Sequence, residues 1–388
     1  MAELNEIRSA ARSAAARGEP LWLATVMRVR GSAYRHAGAR MLFSADRMLA
    51  GSVSGGCLEA SIVHKGPWLT REGPACICFE GGRSEDDERP SGSGCDGTVD
   101  ILVESVQRGA PGDALALIDE CLANERRAVV VTVFEANHPR LTIGSRFWLG
   151  ENGAIGATVS DRSLVAEFEP VLARALENPS DECRMVRGPG FEAMLEIIEP
   201  APHLFVFGAG PDAVPVVTFA HALGLNVTVC DPSRRVSVRE RFPQTDFHVG
   251  SATSLAARIA RCRTPLALVM SHHFQTDVEA LGMLLESRAT YIGLLGPARR
   301  TARLLNELKL EREQLSPRDR ARLHGPVGLD LGAQTPAQIA LAILAEIQAI
   351  LQCANAKPLS RRAPRAIQVP EPNITLASAS ELARTGST

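Results

Sequence analysis

Residues 51–60 read GSVSGGCLEA. Two adjacent glycines, Gly55 and Gly56, stand directly before Cys57, and an acid, Glu59, follows two residues later. Without a Cβ, these glycines let the backbone turn with φ > 0 and let a ligand approach the main chain closely. From Cys57 onward, CLEASIVHK has the pattern of a helix, so the stretch reads as strand, glycine turn, helix start. Backbone N–H groups point outward at such a place, and the helix dipole favours negative charge. A thiol there has a lowered pKa and becomes a thiolate more readily. The alternative is a buried cysteine packed at a tight turn, and position alone leaves both open. Glu59 reads as a first-turn carboxylate favoured by the dipole. Cys95 follows a second glycine-rich turn, GSGCDG.

A different chemistry is written in GAGPDA. Gly208-x-Gly210-x-x-Ala213 follows a predicted strand and opens a predicted helix, and Asp231 ends the next strand about 20 residues on. That is the place of a carboxylate that accepts from a ribose 2′-hydroxyl. Two residues oppose phosphate binding: Pro211 has no N–H, and Asp212 brings negative charge. A working NAD(P) site and a Rossmann scaffold kept for assembly therefore both stay open. SHHFQTD follows the third strand of this half, on the carboxyl edge where ligands bind. His272, His273 and Asp277 are candidate ligands or acid–base groups. If the two histidines continue the strand, they point to opposite faces and one faces the cleft. HGPVGLDLGAQTP carries His324 and Asp330 in a glycine-rich loop feeding a helix N-terminus, a second candidate anion cradle.

The elements that must position these residues follow from pattern. With 388 residues, 45% hydrophobic and 22% charged, the chain is long enough for two or three globular domains. A net charge of −2 points away from nucleic acid as a partner. No apolar run approaches the roughly 18 residues of a spanning helix. The first 20 residues lack the apolar core of a signal peptide. Leu4, Ile7, Ala11 and Ala14 recur there at helical spacing, which predicts an amphipathic helix of a cytoplasmic protein. The 9 cysteines are odd in number and scattered, unlike a disulfide framework. Cys76 and Cys78 form a C-x-C with no second pair at zinc-site spacing.

Residues 1–195 mix strands and helices. LWLATVMRV, RMLFSADRMLAGSVS, GTVDILVES, AVVVTVFEA and RLTIGSRFWL read as strands, and DRSLVAEFEPVLARALE as a helix. The acidic, glycine-rich stretch between residues 80 and 97 reads as a loop. Pro200 and Pro202 punctuate a boundary. From 200 to 353 strands alternate with helices, the signature of a parallel sheet with helices on both faces. The last helix, TPAQIALAILAEIQAIL, carries Thr335 as its cap and Pro336 at its first position. The tail, 354–388, has prolines at 358, 364, 370 and 372 and no aromatic residue, and is expected to be flexible. The fold class is α/β: a mixed α+β N-terminal domain followed by a Rossmann-like parallel-sheet domain.

GSAYRHAGARMLFSADRMLAGSVSGGCLEA, GSGCDGTVDILVE, FVFGAG, YIGLLGPARR and HGPVGLDLGAQTPAQIALAILAEI, in this order, resemble the XdhC/CoxI family of xanthine dehydrogenase accessory factors. The likeness covers nearly the whole chain except the tail. It implies a non-catalytic assembly factor, active as a homodimer. Such a factor binds molybdenum cofactor, supports its sulfuration with a cysteine desulfurase, and delivers it to a molybdenum hydroxylase. It also implies that Cys57 contacts the cofactor and its metal. Three departures stand out: the second motif, usually C-G-G, is Cys95-Asp96-Gly97; the H-D-H-like segment is SHHFQTD; Pro211 replaces a histidine.

Molybdenum cofactor is an anionic phosphate ester of a pterin with a dithiolene-bound metal. It calls for N–H groups and positive side chains. The Ser54-Gly55-Gly56-Cys57 turn would supply the first, and Arg35 and Arg40 the second. A soft thiolate suits a metal in sulfur-rich surroundings. The rival function is an NAD(P)-dependent oxidoreductase using Gly208, Gly210 and Asp231, and a third is a plain interaction scaffold.

Overall fold

In a computed structural model of the protein, the described residues are 2–80, 97–107, 112–123, 125–178, 183–232, 236–311, 314–361 and 374–375. The expected 80–97 loop and the tail beyond 361 lie almost wholly outside them. The chain divides into two compact units, Glu3–Pro200 with Gln368–Thr388, and Met1–Ala2 with Ala201–Ile367.

The N-terminal unit opens with helix α1 (Ala2–Ala16), which buries Ile7, Ala11 and Ala14 as their spacing predicts. Its first sheet is antiparallel: β1 (Trp22–Arg30), β2 (Arg40–Phe43), β3 (Met48–Gly51), β4 (Ala75–Glu80) and β5 (Thr98–Ser105), ordered β3-β2-β1-β5-β4. The run RMLFSADRMLAGSVS is thus a hairpin and not one strand. Its polar centre turns back, with Ser44 N donating to Arg47 O at 2.9 Å and Ser44 Oγ to Asp46 Oδ1 at 2.8 Å. Helix α2 (Glu59–Leu69) follows β3, and α3 (Ala114–Ala123) follows β5.

The second sheet holds β6 (Ala128–Ala136), β7 (Arg146–Gly150), β8 (Ile155–Ala157), β9 (Arg184–Gly188) and β10 (Phe191–Ile198), ordered β9-β10-β6-β7-β8. Ile374–Thr375 pairs in parallel with β9 at its edge. RLTIGSRFWL contributes only its second half, because residues 142–145 form a turn closed by Ser145 N to Thr142 O at 3.0 Å. Helix α4 (Arg162–Glu177) packs on this sheet, capped by Asp161, whose carboxylate accepts from Ser163 N at 2.9 Å. Buried ion pairs tie the two sheets together: Arg40 on β2 with Glu196 on β10, and Arg146 on β7 with Glu104 on β5.

The C-terminal unit runs β11 (His203–Phe207), α5 (Ala213–Ala222), β12 (Asn226–Asp231), α6 (Val236–Arg239), β13 (Asp246–Val249), α7 (Ala256–Arg261), β14 (Pro265–Val269), α8 (Phe274–Glu286), β15 (Tyr291–Leu294), α9 (Ala298–Glu307), α10 (Pro317–Arg322), β16 (Leu323–His324) and α11 (Pro336–Leu351). All six strands are parallel, in the order β13-β12-β11-β14-β15-β16. This is the doubly wound dinucleotide-domain order, with its topological switch beside β11. Alternation along β11 divides the core. Leu204 and Val206 face α5 and α11, whereas Phe205 and Phe207 face α7, α8 and α9. The start of α11 is a reciprocal cap: Gln338 N donates to Thr335 Oγ1 at 3.3 Å and Thr335 N to Gln338 Oε1 at 3.0 Å.

Candidate functional site

β3 ends at Gly51 and α2 begins at Glu59, so Cys57 sits two residues ahead of the helix, not in its first turn. Cys57 is exposed, which removes its reading as core filler. The amides around it do not point outward. Glu59 Oε1 accepts from Ser52 Oγ at 2.8 Å, Val53 N at 3.1 Å and Ser54 N at 2.9 Å. Its Oε2 accepts from Gly56 N at 2.9 Å, Leu58 N at 3.2 Å and the Ser54 hydroxyl. Gly55 N goes to Ser52 Oγ at 3.0 Å. Burial alone would raise the Glu59 carboxyl, but the hydrogen bonds from Ser54 and Ser52 outweigh it and hold the pKa at about 2. The amides of Ser54 and Gly56, expected to cradle an anionic ligand, hold the chain's own carboxylate, and the Gly55 amide is held by Ser52. An acid at the first position of α2 can reach back to the amides of the turn before it, and its place two residues after the thiol was the signal in the sequence.

The two arginines separate. Arg40 is 5% exposed and paired with Glu196, its Nη1 donating to Gly38 O at 3.0 Å. Its place on β2 turns it into the core between the sheets, so the expectation that it meets a ligand is corrected. Arg35 stays near the surface in an ion pair with Glu3, whose other oxygen accepts from Ser52 N at 3.0 Å.

Tyr34 carries no signal in the sequence. It is 71% exposed and its ring lies against the backbone of Gly55, where an added Cβ would stand 2.7 Å from the ring. On one side of Tyr34 and Arg35 opens a groove of about 810 Å³, lined also by Arg47, Gly55, Gly56 and His64. On the other side is a cleft of about 70 Å³ that holds Cys57, floored by Leu58, Phe79 and Val99. Cys95 lies outside the described residues. Four of the other thiols are poor nucleophiles: burial pushes Cys76, Cys183 and Cys230 up to about 12 and Cys121 to about 11; Cys78 and Cys353 are exposed.

In the C-terminal unit, Gly208 is required by space. It has φ +119°, and a Cβ would sit 2.5 Å from Ser271 Cα. Asp231 stands at the end of β12 as predicted, and its Oδ2 accepts from Ala209 N at 3.0 Å. An amide of the glycine loop is thus again taken by a carboxylate of the chain. Pro211 offers none, Ala213 N goes to Gly210 O at 3.0 Å, and Asp212 adds a second negative charge beside His272, 3.4 Å away. Two carboxylates and the missing Pro211 amide oppose a pyrophosphate at this loop.

The histidine pair is not on a strand: β14 ends at Val269, and His272 takes φ +63° in a turn. His273 holds the N-cap position of α8 without a side-chain hydrogen bond to the helix, and lines a cleft of about 280 Å³ with Asp231, Ser271 and Thr276. Asp277 is buried, accepting from Ser271 Oγ at 2.5 Å and pairing with Arg300 at 2.7 Å, so it fixes the turn. Asp330 is exposed. His324 stacks on Tyr291 and lies 3.4 Å from Glu346, which also accepts from Tyr291 Oη at 2.6 Å and Gly328 N at 3.0 Å. Here too an acid of the chain secures the glycine-rich loop.

An antiparallel two-sheet unit followed by a doubly wound Rossmann unit defines a two-domain α/β protein. The XdhC and CoxI family matches residues 14–79, which include the Cys57 turn, and the XdhC Rossmann domain matches residues 204–347. A probable xanthine dehydrogenase subunit of Bacillus subtilis is 30% identical over 84% of this chain and 91% of its own length. The chain belongs to the XdhC and CoxI family. A crystal structure titled as a xanthine dehydrogenase from Bacillus halodurans superposes with TM-score 0.68 at 27% identity, covering 93% of this chain and 98% of that one. The uncharacterized protein YqeB of Escherichia coli is 29% identical over 53% of this chain and 39% of its own length. Among the described residues no helix is long and apolar enough to cross a membrane.

Proposed function

We propose that the protein is an accessory factor of a xanthine dehydrogenase-type molybdenum hydroxylase. It binds molybdenum cofactor on the Cys57 face of the N-terminal unit, supports sulfuration with a cysteine desulfurase, and passes the cofactor to its client. The observation that carries this reading is the exposed Cys57 thiol beside the exposed Tyr34 ring and the Arg35 guanidinium. These groups fit the cofactor's three parts. A thiolate suits the sulfur-bound metal, an open aromatic face suits a pterin, and Arg35 and Arg47, in surface ion pairs with Glu3 and Glu19 that a phosphate can replace, suit the phosphate with His64. The turn amides and Arg40 do not enter the fit, because Glu59 and Glu196 hold them. When bound, the cofactor supplies the molybdenum centre whose terminal ligand is exchanged. The chain's part is to hold the pterin and phosphate and to present one sulfur.

Titration of the purified protein with molybdenum cofactor, and in parallel with NADH and NADPH, tests the reading. Saturable binding of the pterin with none of either dinucleotide is the expected result. Dinucleotide binding without pterin binding would replace it with the oxidoreductase reading.

A further inference from the structure

We propose that Glu59 is the positioning residue of the Cys57 turn: a built-in anion that fixes the backbone on both sides of the thiol and excludes an external phosphate from the amides. The proposal rests on the reading that Cys57 is the working thiol. A carboxylate offers about four lone-pair sites, and Glu59 already receives six donors, three on each oxygen. The amides of Val53, Ser54, Gly56 and Leu58 are thus taken, and a ligand phosphate is better met in the groove with Arg35, Arg47 and His64. The amides immediately before and after Cys57, those of Gly56 and Leu58, converge on the same Oε2. The thiol is therefore carried by a segment pinned at both ends, although it is itself exposed. The acid is supplied by the first helical residue, so helix α2 and the turn are set as one piece.

Glu59→Gln keeps the size but turns one oxygen into an NH₂ group. In either orientation three donors then face a donor. Two readouts need no cofactor: amide exchange at residues 53–58, and the rate at which iodoacetamide alkylates Cys57, followed by peptide mass mapping. With the anion gone and the turn loosened, exchange should speed up in this segment alone. Alkylation should change several-fold, because the loosened segment no longer holds the thiol in one orientation. A third readout, cofactor retention, should fall in the same variant even though the sulfur is present. Glu59→Asp, which keeps the charge, should lie between wild type and Gln, and it serves as the test if the Gln variant does not fold. Unchanged exchange and alkylation, with only a lower melting temperature, would overturn the proposal. If wild type binds no cofactor at all, the Cys57 function fails, while exchange and alkylation still decide the role of Glu59.

Discussion

The molecule contains two glycine-rich strand-to-helix turns, at 51–58 and at 208–213, and both carry an acid of the chain on their amides. They differ in where that acid comes from and in how much it takes. At 51–58 the carboxylate of Glu59 enters from the following helix and collects four amides and two hydroxyls. At 208–213 the carboxylate of Asp231 comes from the neighbouring strand and takes Ala209 N. The first turn becomes a rigid mount for an exposed thiol. The second becomes a Rossmann loop with two carboxylates where a pyrophosphate would need donors. A glycine turn before a helix is an anion site only when the fold has not already furnished the anion.

Substitutions that act on one turn and spare the other sharpen this contrast. The largest effect is expected from Glu59→Gln. Three donors, most of them part-buried, lose their acceptor, and chemical denaturation should show the N-terminal unit weakened by about 3 kcal/mol or more. Gly208→Ala comes next. A Cβ 2.5 Å from Ser271 Cα at φ +119° cannot be absorbed by a side-chain shift, and a loss of about 2–4 kcal/mol is expected. Gly210→Ala is the control, since the nearest atom is His272 Cδ2 at 3.8 Å. Its denaturation midpoint should move by no more than about 0.5 kcal/mol.

Acid should separate the two units. Burial lowers His203 to about 4, so between its ordinary value near 6.5 and pH 4 the unfolded chain binds a proton the folded chain refuses. Stability of the C-terminal unit should fall across that window. Glu59, held at about 2, destabilises the N-terminal unit only as pH drops from about 4.5 toward 2. Urea midpoints at pH 7, 5 and 3 check the order, and His203→Phe should flatten the first window. Thr335→Ala should act less than Glu59→Gln or Gly208→Ala: it removes half of the cap on α11 and should cost about 1 kcal/mol in the C-terminal unit.

Much of the fold was legible because it is written in periodicity. The alternating runs of β11, β12, β14 and β15 and the capped α11 each stood out, and together they imply the parallel sheet. The N-terminal sheets were harder. β4 and β9 are short and only partly buried, and the hairpin at residues 44–47 joins two apolar runs through Ser44-Ala45-Asp46-Arg47. Within the site, Cys57 and its glycines were visible, but the partner of each charge was not. Arg40 and Glu196 lie far apart in sequence, as do Arg35 and Glu3, and only the folded sheets bring them together. Tyr34 gave no pattern, because a lone exposed aromatic has none until its neighbour, Gly55, is in place.

The account turns on the Cys57 sulfur, and Cys57→Ser tests it most directly because the serine keeps the size and the turn. The dissociation constant for molybdenum cofactor and the denaturation midpoint should be measured on the same two preparations. Stability should change by less than about 1.5 kcal/mol, while the cofactor should bind at least about tenfold more weakly, as a neutral hydroxyl replaces a soft sulfur donor. Equal affinity in wild type and Cys57→Ser would contradict the account.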